Sequence, residues 1–437
     1  MRKETDNEIV FSLNTWSLLS QEKENHEAYK LCKVSYPNEA KGWVDEVYYE
    51  RQEVLSEDEV EIYNKDFIKI DSLVWTETEE TGFGIYQYEE TTAIQIPLPC
   101  ADYDITVTLT NPTGTPYTTC IKANEILKVD PTIVNEEIEL NFGTCIINGY
   151  LTLKILPEYK AIKKEEAILS SIYIKEICIK KQPAKEKGEK PTIFLASDST
   201  VQTYDKQTLP QAGWGEVLVK HFINKEEEYI QKSAKNYETK DMIIENRAIG
   251  GRSSKSFIKE GRLDNLLKDV KPGDFVFVQF GHNDATKARP NRYVHSKDFG
   301  KYIQYYIDGV KQRNATCVLV TPVARRNCNE ETGMFSISFN SYREVMQAIS
   351  EEQNIPLLDL GKESTAYLNT IGVDESKKLF LWTEKGEYPD SNYANGVNDN
   401  THLQYRGAYI FAGIVTDLIR EYKKDDKLDV LKSILNK

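Results

Sequence analysis

The stretch IFLASDSTVQ, residues 193–202, decides how the second half of the chain is interpreted. Its apolar run, residues 193–196, stops abruptly at the polar cluster Ser197–Thr200. A short, continuously apolar run is typical of a strand that is buried on both faces. The polar residues after it are those preferred at the start of a helix, because their side-chain oxygens accept hydrogen bonds from free backbone N–H groups. One of these hydroxyls could instead be a nucleophile, and the rest of the chain decides between the two interpretations.

The second half of the chain alternates short apolar runs with longer amphipathic stretches. The apolar runs are TIFLA at 192–196, MIIENRA at 242–248, DFVFVQF at 274–280 and TCVLVTPV at 316–323. The stretches with helical spacing are GWGEVLVKHF at 213–222, DFGKYIQYYIDGVKQR at 298–313, NSYREVMQAISEEQN at 340–354 and GAYIFAGIVTDLIREY at 407–422. Alternating strands and helices are typical of a parallel sheet between two helical layers. We therefore predict an α/β domain with a three-layer, doubly wound sheet over residues 192–437.

The first half has a different pattern, in which single apolar and polar residues alternate. This period of two is clear in YDITVTLTN (103–111), NEEIELNF (135–142) and GYLTLKIL (149–156). Half-buried antiparallel strands have this period, so residues 1–180 are predicted to form an all-β sandwich. Residues 181–191 are charged, contain Pro and Gly, and are predicted to be a linker.

Composition and charge restrict the possible partners. The chain of 437 residues carries a formal net charge of −14, so we expect no partnership with nucleic acid or with an anionic membrane surface. No stretch approaches the roughly 18 apolar residues of a membrane-spanning helix. The first ten residues, MRKETDNEIV, have no apolar signal-peptide core, so we expect a cytoplasmic location. The seven cysteines are widely spaced without a CxxC pair, which argues against a disulfide framework or a zinc cluster.

Candidate catalytic residues follow the predicted strands and precede the last long helix. Ser199 follows the first strand, Gly251 the second and Asn283 the third, while Asp399 and His402 stand just before the helix. Because working loops lie at the carboxyl ends of parallel strands, we expect these residues to share one rim of the sheet. A serine nucleophile needs a base, and an Asp-x-x-His pair can supply a histidine base with a carboxylate that orients it. Alternatively, Asp399 only caps the helix.

Gly251 and Asn283 can supply the remaining parts of an acyl-transfer site. A glycine lets its N–H approach a ligand because no Cβ is in the way, and an asparagine side chain offers a further N–H donor. With the N–H of Ser199, these groups would form a three-donor oxyanion hole. The alternatives are a tight turn at the glycine and an ordinary loop position at the asparagine. Because all of these features occur in the expected order along the chain, the catalytic interpretation is favoured.

Four motifs give this half a resemblance to a known family. They are LASDST (195–200), AIGGRSSKSFIKEGRL (248–263), GDFVFVQFGHND (273–284) and DNTHLQYRGA (399–408). Roughly residues 190–425 resemble the SGNH (GDSL-type) hydrolase superfamily, and within it they are most similar to rhamnogalacturonan acetylesterase-like carbohydrate esterases.

The resemblance implies a flavodoxin-like α/β/α hydrolase fold and a role for each matching residue. The family's nucleophile falls on Ser199, and its Asp-x-x-His pair falls on Asp399 and His402. Its oxyanion donors fall on the Ser199 backbone, Gly251 and Asn283. The implied reaction is ester hydrolysis through an acetyl-enzyme, which needs neither a metal nor an organic cofactor.

One position departs from the family pattern. Where the family usually has Gly before Asp-Ser, this chain has Ser197, whose hydroxyl is a competing candidate nucleophile. His282 and Asp284 flank Asn283, but two possible ligands do not make a metal site.

The resemblance also implies an acetylated carbohydrate substrate, in particular pectin-derived rhamnogalacturonan oligosaccharides. The candidate substrate contacts are Arg252, His282, Arg325, Arg326, Trp382 and Tyr388. Arginines can pair with a uronate carboxylate, and aromatic rings in the loop before Asp399 can stack on a sugar. The alternatives are surface salt bridges for the arginines and loop packing for the aromatic residues. The negative net charge suits short oligosaccharides better than long polyanions.

Two other classes of function stay open. One is a different SGNH activity, such as an acetyl-xylan esterase, a lipid esterase or a thioesterase, although the polar loops disfavour a lipid. The other is a carbohydrate-binding protein with an inactive hydrolase domain. The first half, predicted as a jelly roll of the galactose-binding type, is either a carbohydrate-binding-like module or a structural partner of the hydrolase. We favour the structural role, because no aromatic cluster marks a binding face. No pattern specifies an oligomeric state.

Overall fold

The computed structural model describes most of the second half of the chain and parts of the first. The described residues are 2–5, 8–12, 30–34, 72–78, 82–88, 91–112, 114–124, 126–157, 172–223, 228–233, 235–289 and 291–435. They fall into two compact units. The first comprises Met1–Ala184, Ile258–Lys268 and Ala288–Asn291, and the second comprises Lys185–Phe257, Asp269–Lys287 and Arg292–Lys437. None of the helices in the described residues is long and apolar enough to span a membrane.

The described strands of the first unit form two antiparallel sheets. They are β1 (Arg2–Thr5), β2 (Glu8–Ser12), β3 (Lys30–Val34), β4 (Ser72–Thr78), β5 (Gly82–Tyr88), β6 (Thr91–Pro97), β7 (Ala101–Thr110), β8 (Tyr117–Ala123), β9 (Ile126–Val134), β10 (Ile138–Ile146), β11 (Tyr150–Pro157) and β12 (Ile172–Lys181). One sheet has the order β1-β2-β12-β5-β4, with β7 beside β12 and β10 beside β7. The other has the order β3-β6-β11-β8-β9.

The alternating sequence pattern produces the core of this unit. In β7, Ile105, Val107 and Leu109 are buried, with at most 1% of each residue exposed. They pack in one apolar cluster with residues of β12 from the same sheet and of β8 and β11 from the other sheet, such as Ile177 and Leu153. An all-β first half is therefore what the described residues show.

The second half of the chain contains the remaining strands and helices. They are β13 (Thr192–Ala196), α1 (Trp214–Val217), β14 (Ile230–Ser233), β15 (Asn236–Glu238), β16 (Ile243–Asn246), α2 (Ser254–Lys259), α3 (Arg262–Leu267), β17 (Phe275–Val278), α4 (Ser296–Lys311), β18 (Thr316–Val320), α5 (Asn340–Gln353), β19 (Leu357–Leu358), α6 (Leu360–Ser376), β20 (Phe380–Thr383), β21 (Val397–Leu403), α7 (Tyr405–Glu421) and α8 (Asp429–Leu435). Short 3-10 turns cover Lys206–Thr208 and Leu218–His221.

The main sheet of the second unit is mixed rather than wholly parallel. Its order is β14-β15-β16-β13-β17-β18-β19. The five strands from β16 to β19 run parallel, whereas β14 and β15 form an antiparallel edge. The doubly wound parallel prediction is correct for the centre of the sheet and wrong at this edge. The edge strand β14 is exposed throughout and lacks the continuously apolar pattern of a central strand.

The strand order explains why distant polar loops meet. Strand β13 lies at the centre and pairs in parallel with β16 on one side and with β17 on the other. All four residues of β17 and the last four of β13 are buried, as their apolar sequences predict. The loops that leave the carboxyl ends of β16, β13 and β17 are therefore neighbours. These loops carry Gly251, Ser199 and Asn283, in that spatial order.

A buried ion pair lies within the first unit, in the segment Ile258–Lys268. The Asp264 carboxylate of α3 accepts from Lys128 Nζ at 2.6 Å, from Thr144 Oγ1 at 3.2 Å and from the Cys145 N–H at 3.3 Å. Lys128 and Asp264 expose only 8% and 1% of their side chains. The chain first passes from one unit to the other between residues 184 and 185, inside the predicted linker.

Candidate active site

Three polar side chains form a hydrogen-bonded line at the carboxyl edge of the main sheet. Ser199 Oγ lies 2.9 Å from His402 Nε2. His402 Nδ1 lies 2.6 Å from Asp399 Oδ2. The structure therefore brings together the hydroxyl, imidazole and carboxylate that the sequence proposed as nucleophile, base and orienting group.

The short strand β21 carries both the imidazole and the carboxylate. Asp399 Oδ1 accepts from the backbone N–H of Thr401 at 2.6 Å and from that of His402 at 3.0 Å. These bonds fold the chain locally, so the carboxylate meets a ring only three residues later. This local turn lies within an extended strand. Helix α7 begins at Tyr405 after Gln404, whose side chain makes no capping bond, so Asp399 does not cap that helix.

The environment of Asp399 keeps its carboxylate ionised. Burial by itself would raise the pKa of Asp399. Burial is outweighed by the hydrogen bond from His402, by the charge of that ring and by the backbone N–H groups of His402 and Thr401. Together these lower the pKa of Asp399 to about 2. An ionised carboxylate at this position can hold the Nδ1–H of the imidazole and leave Nε2 as the acceptor facing Ser199.

The turn after β13 holds the two candidate serines in different surroundings. Ser197 is 1% exposed, and its hydroxyl donates to the Gln279 carbonyl at 2.6 Å. Asp198 Oδ1 accepts from both the N–H and the hydroxyl of Thr200 at 2.9 Å, which closes the turn around Ser199. The Ser199 hydroxyl thus faces His402, whereas the Ser197 hydroxyl is bonded inside the core.

A buried glutamine supports this turn from below. Gln279 Oε1 accepts from the indole N–H of Trp214 at 3.0 Å, and Gln279 Nε2 donates to Thr200 Oγ1 at 2.8 Å. Gln279, Trp214 and Thr200 are each at most 1% exposed. This support was not predicted from the sequence. Its signal was a polar residue at the end of the otherwise apolar run DFVFVQF.

The glycine loop after β16 lies directly against Ser199. A Cβ placed on Gly250 would lie 3.5 Å from Ser199 Cβ, and its N–H donates to Gln202 Oε1. Gly251 has a φ of 79°, which glycine adopts without strain. Within the described residues, neither the Ser199 N–H nor the Gly251 N–H has a hydrogen-bond acceptor. Both are therefore available to a ligand.

The side-chain amide of Asn283 is held at both ends. Its Nδ2 donates to the Arg252 carbonyl at 3.0 Å, and its Oδ1 accepts from Arg292 Nη1 at 3.3 Å. The next residue, Asp284, is fully buried and accepts from the N–H of Gly281 at 3.1 Å. Burial raises the pKa of Asp284 to about 7, against the lowering effect of its hydrogen-bond donors.

The predicted substrate contacts have different surroundings. Arg252 Nη1 donates to the Gly250 carbonyl at 2.9 Å. Arg325 Nε donates to Thr401 Oγ1 at 2.7 Å, and the guanidinium is half-buried beside the line of catalytic candidates. Arg326 is 7% exposed and bonds to Asn400, Ser376 and Val373, which makes it a structural residue.

Of the two aromatic residues proposed to stack on a sugar, Trp382 already makes contacts within the protein. Trp382 belongs to β20 rather than to the following loop. Its indole N–H donates to Asn400 Oδ1 at 3.0 Å, and the guanidinium of Arg326 and the ammonium of Lys377 lie 4.9 and 5.5 Å from its ring centroid. This geometry fits the packing alternative. Tyr388 is half-buried in the loop before β21.

His282 lies beneath the site instead of facing it. The residue is 8% exposed, and its Nδ1 lies 3.6 Å from Asp198 Oδ2. Burial lowers the pKa of His282 to about 4, against the raising effect of Asp198. The ring is therefore a neutral core group that offers no polar edge to a substrate.

The described residues contain no group of three or more His, Cys, Asp or Glu side chains arranged to hold a metal ion.

The fold and the arrangement of Ser199, His402 and Asp399 indicate an ester hydrolase. Residues 193–413 match the family described as GDSL-like lipase/acylhydrolase, and the chain belongs to this family. It is 39% identical over 230 residues to a probable rhamnogalacturonan acetylesterase of Bacillus subtilis strain 168, covering 52% of this chain and 92% of that protein. It is 32% identical over 229 residues to the rhamnogalacturonan acetylesterase RhgT of the same organism, covering 52% and 89%.

Among solved structures, the Bacillus subtilis protein YxiM shares 24% identity, with a TM-score of 0.42 over 80% of this chain and 87% of that one. Family membership and the named acetylesterase relatives together establish the chain as a carboxylic ester hydrolase.

Proposed function

We propose that this enzyme removes acetyl groups from acetylated carbohydrates through a Ser199–His402–Asp399 triad. The observation that carries the proposal is the continuous hydrogen-bonded line from Ser199 Oγ to His402 Nε2 at 2.9 Å and from His402 Nδ1 to Asp399 at 2.6 Å. Two acetylesterase relatives support acetyl as the transferred group.

The first step forms an acetyl-enzyme. His402 Nε2 takes the Ser199 proton while the hydroxyl oxygen attacks the acetyl carbonyl carbon. The negative charge that develops on the carbonyl oxygen is stabilised by the N–H groups of Ser199 and Gly251 and by the Asn283 amide. His402 then gives the proton to the departing sugar oxygen, and the acetyl group remains on Ser199.

The second step releases acetate. A water molecule gives its proton to His402 and attacks the acetyl-enzyme carbonyl, and the same donors stabilise the second oxyanion. Ser199 recovers its proton from His402 as acetate leaves. Asp399 stays ionised throughout, because its pKa is about 2, and it stabilises the imidazolium that forms in each step.

We further propose that the carbohydrate is a rhamnogalacturonan oligosaccharide. The named substrate of two relatives supports this choice. Arg252 and Arg325 also support it, because both lie at the site and guanidinium groups recognise carboxylates such as those of uronic acids. The polar loops around Ser199 argue against a long acyl chain.

The test is a comparison of acyl groups and sugars. Acetate release is measured on acetylated rhamnogalacturonan and xylan oligosaccharides, together with p-nitrophenyl acetate and p-nitrophenyl octanoate. We expect hydrolysis of the acetate ester and preferential release from the rhamnogalacturonan fragments. Octanoate turnover well above acetate turnover would contradict the acetylesterase assignment, and faster release from xylan would contradict the choice of sugar.

For the first unit, we propose a jelly roll of the galactose-binding type with a structural role. The buried Lys128–Asp264 pair supports a structural role, because such a pair holds α3 in that unit. If this unit instead binds carbohydrate, the inactive Ser199→Ala protein should bind deacetylated oligosaccharide. That affinity should be lost when aromatic residues of this unit are replaced.

A further inference from the structure

A cation lies against two of the three proposed oxyanion donors. Arg292, on the loop between β17 and α4, is half-buried. Its Nη1 donates to Asn283 Oδ1 at 3.3 Å. A Cβ on Gly251 would lie 2.9 Å from Arg292 Nη2 and 3.1 Å from Cζ. The guanidinium therefore covers the glycine and reaches the asparagine at the same time.

The bond from Arg292 fixes which way the Asn283 amide faces. One Asn283 Nδ2 hydrogen is used by the Arg252 carbonyl at 3.0 Å, which leaves the second for a ligand. If the amide turned over, its oxygen would face the Arg252 carbonyl and its NH2 would face the Arg292 donor. Both hydrogen bonds would be lost, because neither of these partners can change its role. Among the residues that the structure describes, the Arg252 carbonyl alone would oppose that reversal without Arg292.

The contact with Gly251 adds a second effect. Gly251 lacks the Cβ that would displace the guanidinium, so the cation can lie close to the backbone that offers the N–H donor. A fixed positive charge at this place stabilises the transition state more than the neutral ester. The reason is that the carbonyl oxygen carries its negative charge only in the transition state.

We propose that Arg292 is a positioning residue of the oxyanion hole, which acts chiefly through Asn283 by holding its amide with an N–H toward the reacting carbonyl. The inference rests on the proposed function, since it needs acyl transfer at Ser199. It assigns to Arg292 a role in kcat rather than in substrate affinity.

The experiment is a double-mutant cycle on p-nitrophenyl acetate, a neutral substrate without a sugar or a carboxylate. We expect Arg292→Ala to lower kcat about 10- to 100-fold with little change in KM, and Asn283→Ala to lower it about 10²- to 10³-fold. Because Arg292 acts through Asn283, the double variant should be within about threefold of Asn283→Ala alone. Arg292→Lys, which keeps a cationic donor, should recover part of the loss.

Arg289→Ala is the matched control, because it removes the same charge from the same loop, and its kcat should stay near that of the parent enzyme. Thermal denaturation of each variant checks the fold. Losses that multiply in the double variant, or a raised KM with an unchanged kcat, would overturn the role of Arg292 while leaving the esterase intact. A parent enzyme that fails to cleave p-nitrophenyl acetate would overturn the proposed function and this inference together.

Discussion

The carboxylate of Asp284 accepts two hydrogen bonds from Ser254, one from its N–H at 3.1 Å and one from its hydroxyl at 2.5 Å. Ser254 begins the helix that follows the glycine loop, and Asp284 directly follows Asn283. Asp284 also accepts from the N–H of Gly281 at 3.1 Å. One buried side chain therefore joins the loops that carry two of the proposed oxyanion donors.

Replacement of Asp284 should loosen both loops. In Asp284→Asn, an NH2 group replaces one acceptor oxygen and faces donors that it cannot satisfy. We expect a loss of about 1–3 kcal/mol in the free energy of unfolding and a fall in kcat of about tenfold. Urea denaturation and p-nitrophenyl acetate kinetics measure the two effects. Asp390→Asn, on an exposed loop, is the control, and equal behaviour of the two variants would refute this role.

The raised pKa of Asp284 also predicts a dependence of stability on pH. Between its ordinary pKa of 3.8 and its folded value of about 7, the folded protein binds more protons at this group than the unfolded chain does. Its contribution to stability is present below about pH 4 and is lost as the pH rises through about 7. Relative to that of Asp284→Asn, the free energy of unfolding of the parent should therefore fall by about 2–4 kcal/mol from pH 4 to pH 8. A constant difference over this range would contradict the assignment.

Ser197 and Ser199, the two serines of the turn after β13, should behave differently when each is replaced. Ser199→Ala removes the hydroxyl that faces His402, and we expect kcat for ester hydrolysis to fall by at least about 10³-fold. Ser197→Ala removes only a bond to the Gln279 carbonyl inside the core. It should keep most of the activity and lose about 1 kcal/mol of stability. Activity that survives in Ser199→Ala would show that the nucleophile lies elsewhere.

Asp399→Asn tests the orienting carboxylate. The amide can present an NH2 to His402 Nδ1, which favours the tautomer with its proton on Nε2 and removes the acceptor that faces Ser199. We expect kcat to fall about 10³- to 10⁴-fold, because the base would carry its proton on the wrong ring nitrogen. Because the pKa of Asp399 is about 2, the ratio of parent to variant rates should not change through ionisation of this carboxylate between pH 5 and 8. A loss below tenfold would mean that His402 does not depend on Asp399.

Lys128→Met tests the buried ion pair of the first unit. The substitution keeps the apolar stem but leaves Asp264 without its cation, so we expect a loss of about 3–5 kcal/mol in the free energy of unfolding. Lys175→Met is the matched control, since Lys175 pairs with Glu137 at the surface, where both side chains are more than 40% exposed. It should change stability by at most about 1 kcal/mol. Similar effects of the two substitutions in urea denaturation would refute a special role for Asp264.

The sequence was most informative where burial alone determines the structure. The apolar run TIFLA predicted strand β13 at Thr192–Ala196, because a central strand is buried on both faces. Helix α6 was missed for a physical reason. Its buried face contains Ser364 and Thr365, whose hydroxyls donate to the Leu360 and Gly361 carbonyls, so polar residues interrupt the apolar period.

In the candidate site, too, residues in short sequence motifs were predictable, whereas contacts between distant parts of the chain were not. Ser199, Asp399 and His402 could be identified because their chemistry is visible in short motifs. The supporting roles of Gln279 and Arg292 depend on contacts with loops far away in the sequence, which no local pattern contains. His282 was misplaced for a related reason: a motif shows that a residue is near the site, but not whether its ring points outward or into the core.

The two bonds of His402 differ greatly in sequence separation, and this sets when each can form as the chain folds. The partner at Nδ1 is three residues away, so a single local turn brings it within reach. The partner at Nε2 is 203 residues away, so this bond needs the loop after β13 and the strand β21 to come together. Contacts of large sequence separation are slow to form, because a long stretch of chain must first lose its freedom. Recovery of ester hydrolysis after dilution from denaturant therefore reports the last stage of assembly, whereas helix formation seen by circular dichroism reports earlier ones.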